Sequence, residues 1–158
     1  MIRLTRLADA DLHRLAHLSL APEQRVFVGD PAALTPARGL DVYAVEAADG
    51  IVGMFRIDCD YAFRRGHDFA STGDLGLRGL LIDEAHQGQG LGAALLAELP
   101  AMLARDYPQA RRILLTVNLR NPRARRAYAK AGWRTLPDLY LGGSAGPQHV
   151  MALRLCPV

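Results

Sequence analysis

The sequence predicts an α/β domain with a central mixed, mostly antiparallel sheet of six to seven strands flanked by about four helices. Three observations support this fold class. The chain has 158 residues, enough for one core and few for two, so we expect residues 1–158 to form a single domain. Half of the residues are apolar and 22% are charged, as in ordinary globular proteins. Strand-like and helix-like patterns alternate along the chain, with short turns between them.

Seven segments carry the pattern of strands. The pair Asp49-Gly50 favours a tight turn and predicts an antiparallel hairpin between the second and third strands. The polar segment 61–73 predicts a mobile loop before the fourth strand. The predicted strands are 2–7, 41–47, 51–60, 75–82, 113–118, 133–141 and 148–155.

Helices are predicted between these strands. The first opens at Asp9 or Asp11 and is followed by leucines at helical spacing, and prolines in segment 21–39 predict a second, broken helix and a loop. Segment 91–106 predicts a third, bent by a proline. A fourth, short helix follows the strand 113–118. Helices that alternate with strands in this order predict a mixed sheet with helical cover.

Composition excludes several classes of protein. The formal net charge of +3 is too small to require nucleic acid, and the arginine run 120–126 lacks interleaved aromatic residues. The N-terminus has no unbroken apolar stretch, so we expect neither a membrane span nor a signal peptide there. We therefore expect a cytoplasmic location. Cys59 and Cys156 lie far apart without metal-ligand spacing, which predicts buried thiols and no metal site.

A glycine-rich loop follows the predicted strand 75–82. Gly88, Gly90 and Gly92 stand between this strand and the helix 91–106. Glycines let a diphosphate approach the backbone closely, and the N-terminus of a helix offers free N–H groups and a positive dipole. The segment therefore predicts a phosphate-binding loop.

Three ligand classes use such a loop. A nucleoside triphosphate loop needs a lysine after its last glycine, but the sole lysine is Lys130. A dinucleotide fingerprint fits Gly88, Gly90 and Ala93, but the next strand ends at Asn118 and not at an acidic residue. The third class is the coenzyme A loop: Gln or Arg, any two residues, Gly, any residue, then Gly or Ala. The segment Gln87 to Gly92 contains this pattern in full.

With this loop, nearly the whole chain resembles the GNAT N-acetyltransferases, whose fold has this order of elements. The resemblance implies that acetyl-coenzyme A is the cosubstrate, without a metal. It implies that strand residues Leu80, Leu81 and Ile82 pair with the pantetheine arm. It also implies that backbone N–H groups hold the pyrophosphate in the segment Gln87, Gly88, Gln89, Gly90, Leu91, Gly92 and Ala93.

A second motif supports the resemblance. Asn121 is suited to cap the fourth helix, and Gly132 is suited to end it. Tyr128 shares one face of this helix with three alanines. The resemblance implies that Tyr128 donates a proton to the departing thiolate, that Asn118 belongs to the coenzyme site, and that Asn121 contacts the pantetheine or caps the loop.

The mechanism requires a base, because an alkylamine with a pKa of about 10.4 arrives protonated. Many family members carry a carboxylate in the fourth strand, where this chain has Arg78 and Gly79. We predict Glu84 as the catalytic residue that accepts this proton. The other candidates are Asp58, Asp60, Asp74 and His86, and an acidic mouth could form from Asp58, Asp60, Asp68 and Asp74.

The acceptor is predicted from a shorter match. Segments 18–28 and 82–88 resemble bacterial spermine/spermidine acetyltransferase-like members, which favours a small polyamine-like amine. Arg78 and the pair Arg64-Arg65 would repel a polyamine unless they face elsewhere. Aminoglycosides, amino acids, protein N-termini and lysine side chains stay open, as does an acetyl-coenzyme A sensor without turnover. The apolar end of the penultimate strand, at Tyr140-Leu141, could support a homodimer.

Overall fold

A seven-stranded mixed sheet forms the centre of the protein in a computed structural model, which describes residues 1–25 and 30–155. The strands are β1 (Arg3–Arg6), β2 (Leu40–Ala47), β3 (Gly50–Asp58), β4 (Leu75–Ile82), β5 (Arg112–Asn118), β6 (Arg134–Tyr140) and β7 (Gln148–Arg154). Their order is β1-β2-β3-β4-β5-β7-β6. Neighbouring strands are antiparallel except β4 and β5, which are parallel. The predicted fold class is confirmed.

Three α-helices occur in the described ranges, where about four helices were predicted. They are α1 (Pro22–Arg25), α2 (Leu91–Asp106) and α3 (Pro122–Lys130). The predicted helix at Asp9 is a 3-10 helix, Asp9–Leu15, because the leucines at 12, 15 and 18 recur every three residues, which is the 3-10 period. The predicted broken helix is α1 together with the 3-10 turn Pro31–Ala33, and its residues 26–29 lie outside the described ranges.

The sheet buries apolar side chains on both faces. On one face, α2 packs Leu95, Leu99 and Leu103 against the strands, and all three are fully buried. Leucines of the N-terminal 3-10 helix, with Met54 of β3, belong to a second buried cluster. Covering both faces leaves the edges and the ends of the strands as the places where a ligand can reach the backbone.

One such place is a gap between β4 and β5. These strands pair only at Leu75 with Ile113 and at Gly76 with Leu114, and then diverge. β4 also contains a bulge, because its register against β3 shifts by one residue between Arg78 and Leu81. Gly79 sits in this bulge with a φ of +60°, a conformation that a glycine adopts without a steric penalty. The bulge was not predicted, although a glycine in mid-strand is its usual signal.

Two local predictions need correction. Cys59 is exposed and not a buried thiol, and Cys156 lies outside the described ranges. The segment 61–73 is not an open polar loop, because Tyr61 and His67 are buried. Their rings pack together, with centroids 4.2 Å apart. Within the described ranges, no helix is long and apolar enough to cross a bilayer, and no cluster of three acidic, histidine or cysteine side chains could hold a metal ion.

Candidate active site

The gap between β4 and β5 opens into two cavities. The first, of about 390 Å³, lies beside the predicted phosphate-binding loop, and we call it the glycine-loop cavity. The second, of about 430 Å³, is lined by Arg56 and Arg78, and we call it the arginine cavity. Four residues line both cavities and form the partition between them: Leu80, Asn121, Ala124 and Tyr128.

The glycine loop presents backbone to its cavity. Gly88 and Gly90 have φ values of +79° and +76°, which favour glycine. A Cβ added at Gly88, Gly90 or Gly92 would meet no atom within 4 Å, so the space above the loop is open. Gly90 is the N-cap of α2, and no side chain caps this helix end. The first N–H groups of α2 are therefore available to an anion.

Eleven predicted coenzyme-binding residues line this cavity. They are Leu80, Leu81, Ile82, Gln87, Gly88, Gly90, Leu91, Gly92, Ala93, Asn121 and Tyr128. Gln89 is exposed and does not line it. The side-chain amide of Gln87 donates to the Gln24 side chain and to the Ile82 carbonyl, at 3.0 Å each. Gln87 therefore ties the loop to α1 and to the end of β4.

The two asparagines hold the connections around the partition. The Asn121 side chain accepts from the Ala124 N–H at 3.3 Å and caps α3, which confirms the predicted cap. Asn118 is buried and lines the arginine cavity, not the glycine-loop cavity. Its amide donates to the Ala145 carbonyl at 2.8 Å and accepts from the Arg120 N–H at 2.8 Å. Asn118 thus fastens the 142–147 loop to the end of β5.

Tyr128 is the ionisable side chain of the partition. It is half-buried on α3, and the Trp133 ring lies 5.7 Å from its own, centroid to centroid. The backbone N–H of Trp133 donates to the backbone carbonyl of Tyr128 at 3.1 Å, which fixes the end of the helix. Burial raises the pKa of Tyr128 to about 12. The phenol is therefore protonated at neutral pH and can donate to a group lying between the two cavities.

A sequence comparison settles the family. The protein-family model of the acetyltransferase (GNAT) domain matches residues 38–135, which is more than half of the chain. The chain belongs to the GNAT acetyltransferase family. The matched range contains β2 to β5, the glycine loop and α3, and so both motifs on which the predicted resemblance rests.

Solved structures of GNAT acetyltransferases share the fold. An aminoglycoside acetyltransferase, AAC(6')-Ib in complex with coenzyme A, superposes with a TM-score of 0.79 at 20% identity, covering 98% of this chain and 95% of that one. A spermidine N-acetyltransferase from Vibrio cholerae, in complex with coenzyme A and spermine, gives 0.67 at 17%, covering 97% and 95%. The GNAT domain of S. lividans PAT gives 0.73 at 19%, covering 98% and 90%. A search of curated proteins finds no match.

None of the four carboxylates of the predicted acidic mouth lines either cavity within the described ranges, and two of them are paired inside the sheet. Asp58 is completely buried, and its carboxylate accepts from Arg64 Nε at 3.0 Å and from Arg78 Nε at 3.0 Å. Asp74 is buried and paired with Arg112, with an Nη2 to Oδ2 distance of 2.6 Å. Both carboxylates form ion pairs with neighbouring arginines, so they offer no unpaired negative charge to a ligand.

The predicted base, Glu84, lies outside both cavities. Its side chain is exposed at the start of the 3-10 turn that follows β4 and lines neither cavity. Its backbone N–H donates to the Ser19 carbonyl at 2.8 Å, and its carbonyl accepts from the Gln87 N–H at 3.4 Å. His86 lines the glycine-loop cavity, but its Nδ1 lies 3.3 Å from Oδ2 of Asp83. The geometry gives Glu84 no contact with the gap between β4 and β5.

Sequence reasoning missed His67. This histidine is buried, lines the arginine cavity, and has its Nδ1 2.8 Å from the Tyr61 carbonyl oxygen. A carbonyl only accepts, so Nδ1 carries the proton and the lone pair lies on Nε2. Desolvation lowers the pKa of His67, against the opposing effect of that hydrogen bond. The ring is therefore neutral at physiological pH. No local pattern marks it, because it enters the site from the loop 61–73.

Proposed function

We propose that this protein transfers the acetyl group of acetyl-coenzyme A to the primary amine of a small molecule, by direct attack in a ternary complex. The observation that carries the proposal is Tyr128, a protonated phenol shared by two cavities. A thioester at the partition would have the coenzyme on the glycine-loop side and the amine on the arginine side. The phenol would then protonate the departing thiolate.

The coenzyme would be held mainly by backbone. N–H groups at the start of α2 would take the pyrophosphate. The Asp83 N–H donates to the Val52 carbonyl of β3, and the Ile82 carbonyl accepts from Gln87. Because successive residues of a strand point their N–H groups in opposite directions, the Ile82 N–H is directed into the gap. It would pair with the pantetheine arm or stabilise the oxyanion of the tetrahedral intermediate.

The acceptor amine must lose a proton before it attacks, and we assign this proton to His67. Nε2 carries the free lone pair, and His67 lines the cavity that would hold the amine. The proton would pass from the amine to Nε2 directly or through one water molecule in that cavity. Glu84 was predicted for this role, but its exposed position outside both cavities does not support it.

Similar proteins support a small amine acceptor. A similar aminoglycoside acetyltransferase has been solved with kanamycin, and a similar spermidine N-acetyltransferase with spermine. A protein or peptide acceptor, and a sensor that binds acetyl-coenzyme A without turnover, are the alternatives. A cytoplasmic location stays a prediction, which cell fractionation would test.

A homodimer is a further proposal for the edge of the sheet. β6 pairs only with β7, and Leu139 and Leu141 at its end are 48% and 73% exposed. Sedimentation equilibrium would test it. Replacing Leu141 by serine should weaken association if these side chains lie in the interface, and should leave the mass unchanged if the protein is a monomer.

The decisive assay combines the protein, acetyl-coenzyme A and a panel of amines, with thiol release followed by a chromogenic disulfide. We expect release that depends on an amine and a kcat about 100- to 10,000-fold lower in Tyr128→Phe. The dissociation constant for acetyl-coenzyme A should not change in this variant, because the phenol acts only on the leaving group. Binding of the coenzyme without turnover of any amine would instead favour the sensor.

A further inference from the structure

The arginine cavity contains an unbalanced group of guanidinium side chains. Arg56 of β3 and Arg78 of β4 are register partners, so they lie side by side on one face of the sheet. Asp58 lies two residues from Arg56 and shares that face. It is the carboxylate that accepts from Arg64 and Arg78. Three guanidinium groups thus share one carboxylate.

Arg78 and Arg64 are accounted for by protein contacts. Arg64 binds Asp58 through Nε and Nη2, at 3.0 Å and 2.9 Å. Arg78 Nε donates to Oδ2 of the same carboxylate, and the guanidinium carbon of Arg78 lies 5.8 Å from the centroid of the Tyr61 ring. These contacts hold Arg78 in place, but they leave the charge of Arg56 without a counterion of its own.

Arg56 lacks the partner that a buried guanidinium needs. Its Nε is completely buried and donates to no acceptor within residues 1–25 and 30–155. Desolvation lowers the pKa of Arg56, and the charge of Arg78 acts in the same direction. Leaving such a donor unpaired beside a like charge is costly. The Arg56 side chain nevertheless stays cationic, because arginine does not deprotonate in proteins. An anionic ligand in the arginine cavity would compensate the charge of Arg56.

The position of Arg56 places this charge near the reaction centre. A Cβ on Gly79 would lie 3.2 Å from both Nε and Nη2 of Arg56, so the guanidinium lies against the bulge of β4. Leu80, the next residue, belongs to the partition between the cavities. Only a short spacer would separate a group bound at Arg56 from an amine at the thioester.

No acidic side chain lines the arginine cavity within the described part of the chain. Arg56 also lines a neighbouring cavity of about 300 Å³, where Asp30 is the one carboxylate among the described lining residues and accepts from the Ala32 N–H. A polycation would therefore face the charge of Arg56, which no acidic side chain lining the cavity in the described ranges offsets, and like charges repel strongly in a partly desolvated site.

We propose that the acceptor is a small amino carboxylate, whose carboxylate is bound by Arg56 with help from Arg78 while its amine reaches the acetyl group. This inference rests on the proposed function and names its substrate class. A planar guanidinium can donate two parallel hydrogen bonds to a carboxylate, so the contact would fix the orientation of the acceptor as well as its charge.

The test compares amines that differ only in this charge. Each L-amino acid is assayed beside its carboxamide, which keeps the amine and the side chain but loses the anion, and beside spermidine. We expect kcat/KM for the best amino acid to exceed that for its amide by about 10-fold or more. A peptide with an acidic N-terminal residue is included, because it offers the same carboxylate from a different source.

Variants then assign the preference to Arg56. In Arg56→Gln, KM for the amino acid should rise about 10- to 100-fold, while kcat/KM for the amide stays the same. Arg56→Lys should restore part of the preference, since it returns the charge without the planar donor pair. Arg14→Gln, which removes an exposed arginine that lines neither cavity, is the control and should behave as wild type. Unchanged melting temperatures would show that the variants are folded.

The outcomes separate this inference from the proposed function. Acetylation of amides as fast as of acids, or of spermidine in preference to both, would overturn the inference and leave the acetyltransferase assignment intact. If no amine is acetylated, a thermal shift with the same amino acids decides. Stabilisation that Arg56→Gln abolishes would show that a carboxylate binds at Arg56 and that the proposed function is what fails, and no stabilisation of the wild type would overturn the inference.

Discussion

The two cavities that meet at Tyr128 differ in what they offer a ligand. The glycine-loop cavity is lined mainly by the segment from the end of β4 to the first turns of α2, with further residues from the N-terminal region and α3, and its glycines leave the backbone open. The arginine cavity collects side chains from β3, β4, the loop 61–73 and the loop 142–147. A local glycine motif thus shapes one cavity, whereas the other depends on side chains that the fold brings together from distant segments.

The largest expected effect tests the arginine side. We expect His67→Gln to lower kcat by about 100-fold or more, the contribution of a general base, without changing the binding of acetyl-coenzyme A. Because the pKa of His67 lies below its usual value, wild-type kcat/KM should fall only as the pH drops through that low pKa and the ring becomes charged. This acid limb should be missing in the variant.

His149→Gln is the matched control, since this histidine of β7 lines neither cavity and its pKa is lowered as well, mainly by desolvation. Its pH profile and kcat should equal those of the wild type. A normal kcat in His67→Gln would show that the arginine cavity only binds the acceptor and that the proton leaves elsewhere.

The second prediction tests the glycine side. Gly90→Val places a branched side chain at a φ of +76°, directly above the first turn of α2. The strain of about 1–3 kcal/mol and the lost access should raise the dissociation constant of acetyl-coenzyme A about 10- to 100-fold. Calorimetry measures this constant directly.

Gly50→Val provides the comparison, because Gly50 also has a positive φ, +106°, and open space around it, but lies in the β2–β3 hairpin. Both variants should lose stability, and only Gly90→Val should lose the coenzyme. Equal coenzyme binding in the two variants would contradict a backbone cradle at the loop.

These two halves also differ in how far the sequence predicts them. The spacing of Gly88, Gly90 and Gly92 after an apolar strand was sufficient for the loop, because a local motif determines local backbone conformation. The cap at Asn121 and the succession of strands and helices along the chain were predicted for the same reason. The pairing of Asp58 with Arg64 and Arg78 was not, since it depends on which strands become neighbours and on a shift in register. Without that information Asp58 resembles a free carboxylate.

The third prediction concerns Asn118, which holds the 142–147 loop at the wall of the arginine cavity. Asn118→Ala removes the donor to the Ala145 carbonyl and the acceptor for the Arg120 N–H. We expect a loss of about 1–2 kcal/mol in the free energy of unfolding and a several-fold rise in KM for the acceptor, because the 142–147 loop forms part of its wall. Chemical denaturation and steady-state kinetics measure the two effects. A rise in the dissociation constant of acetyl-coenzyme A instead would mean that Asn118 serves the glycine side, as the family resemblance implied.

The smallest effect is expected outside both cavities. Glu84→Gln changes an exposed carboxylate and leaves the backbone hydrogen bonds of this residue with Ser19 and Gln87 in place. We therefore expect kcat, KM and the melting temperature to stay within about twofold or 1 °C of the wild type. Glu98→Gln, an exposed glutamate of α2, is the matched control for loss of one surface charge. A tenfold fall in kcat in Glu84→Gln, with a normal Glu98→Gln and a normal His67→Gln, would move the base from the arginine cavity to the end of β4. The proton would then leave beside the coenzyme, and the division of labour between the two cavities would no longer hold.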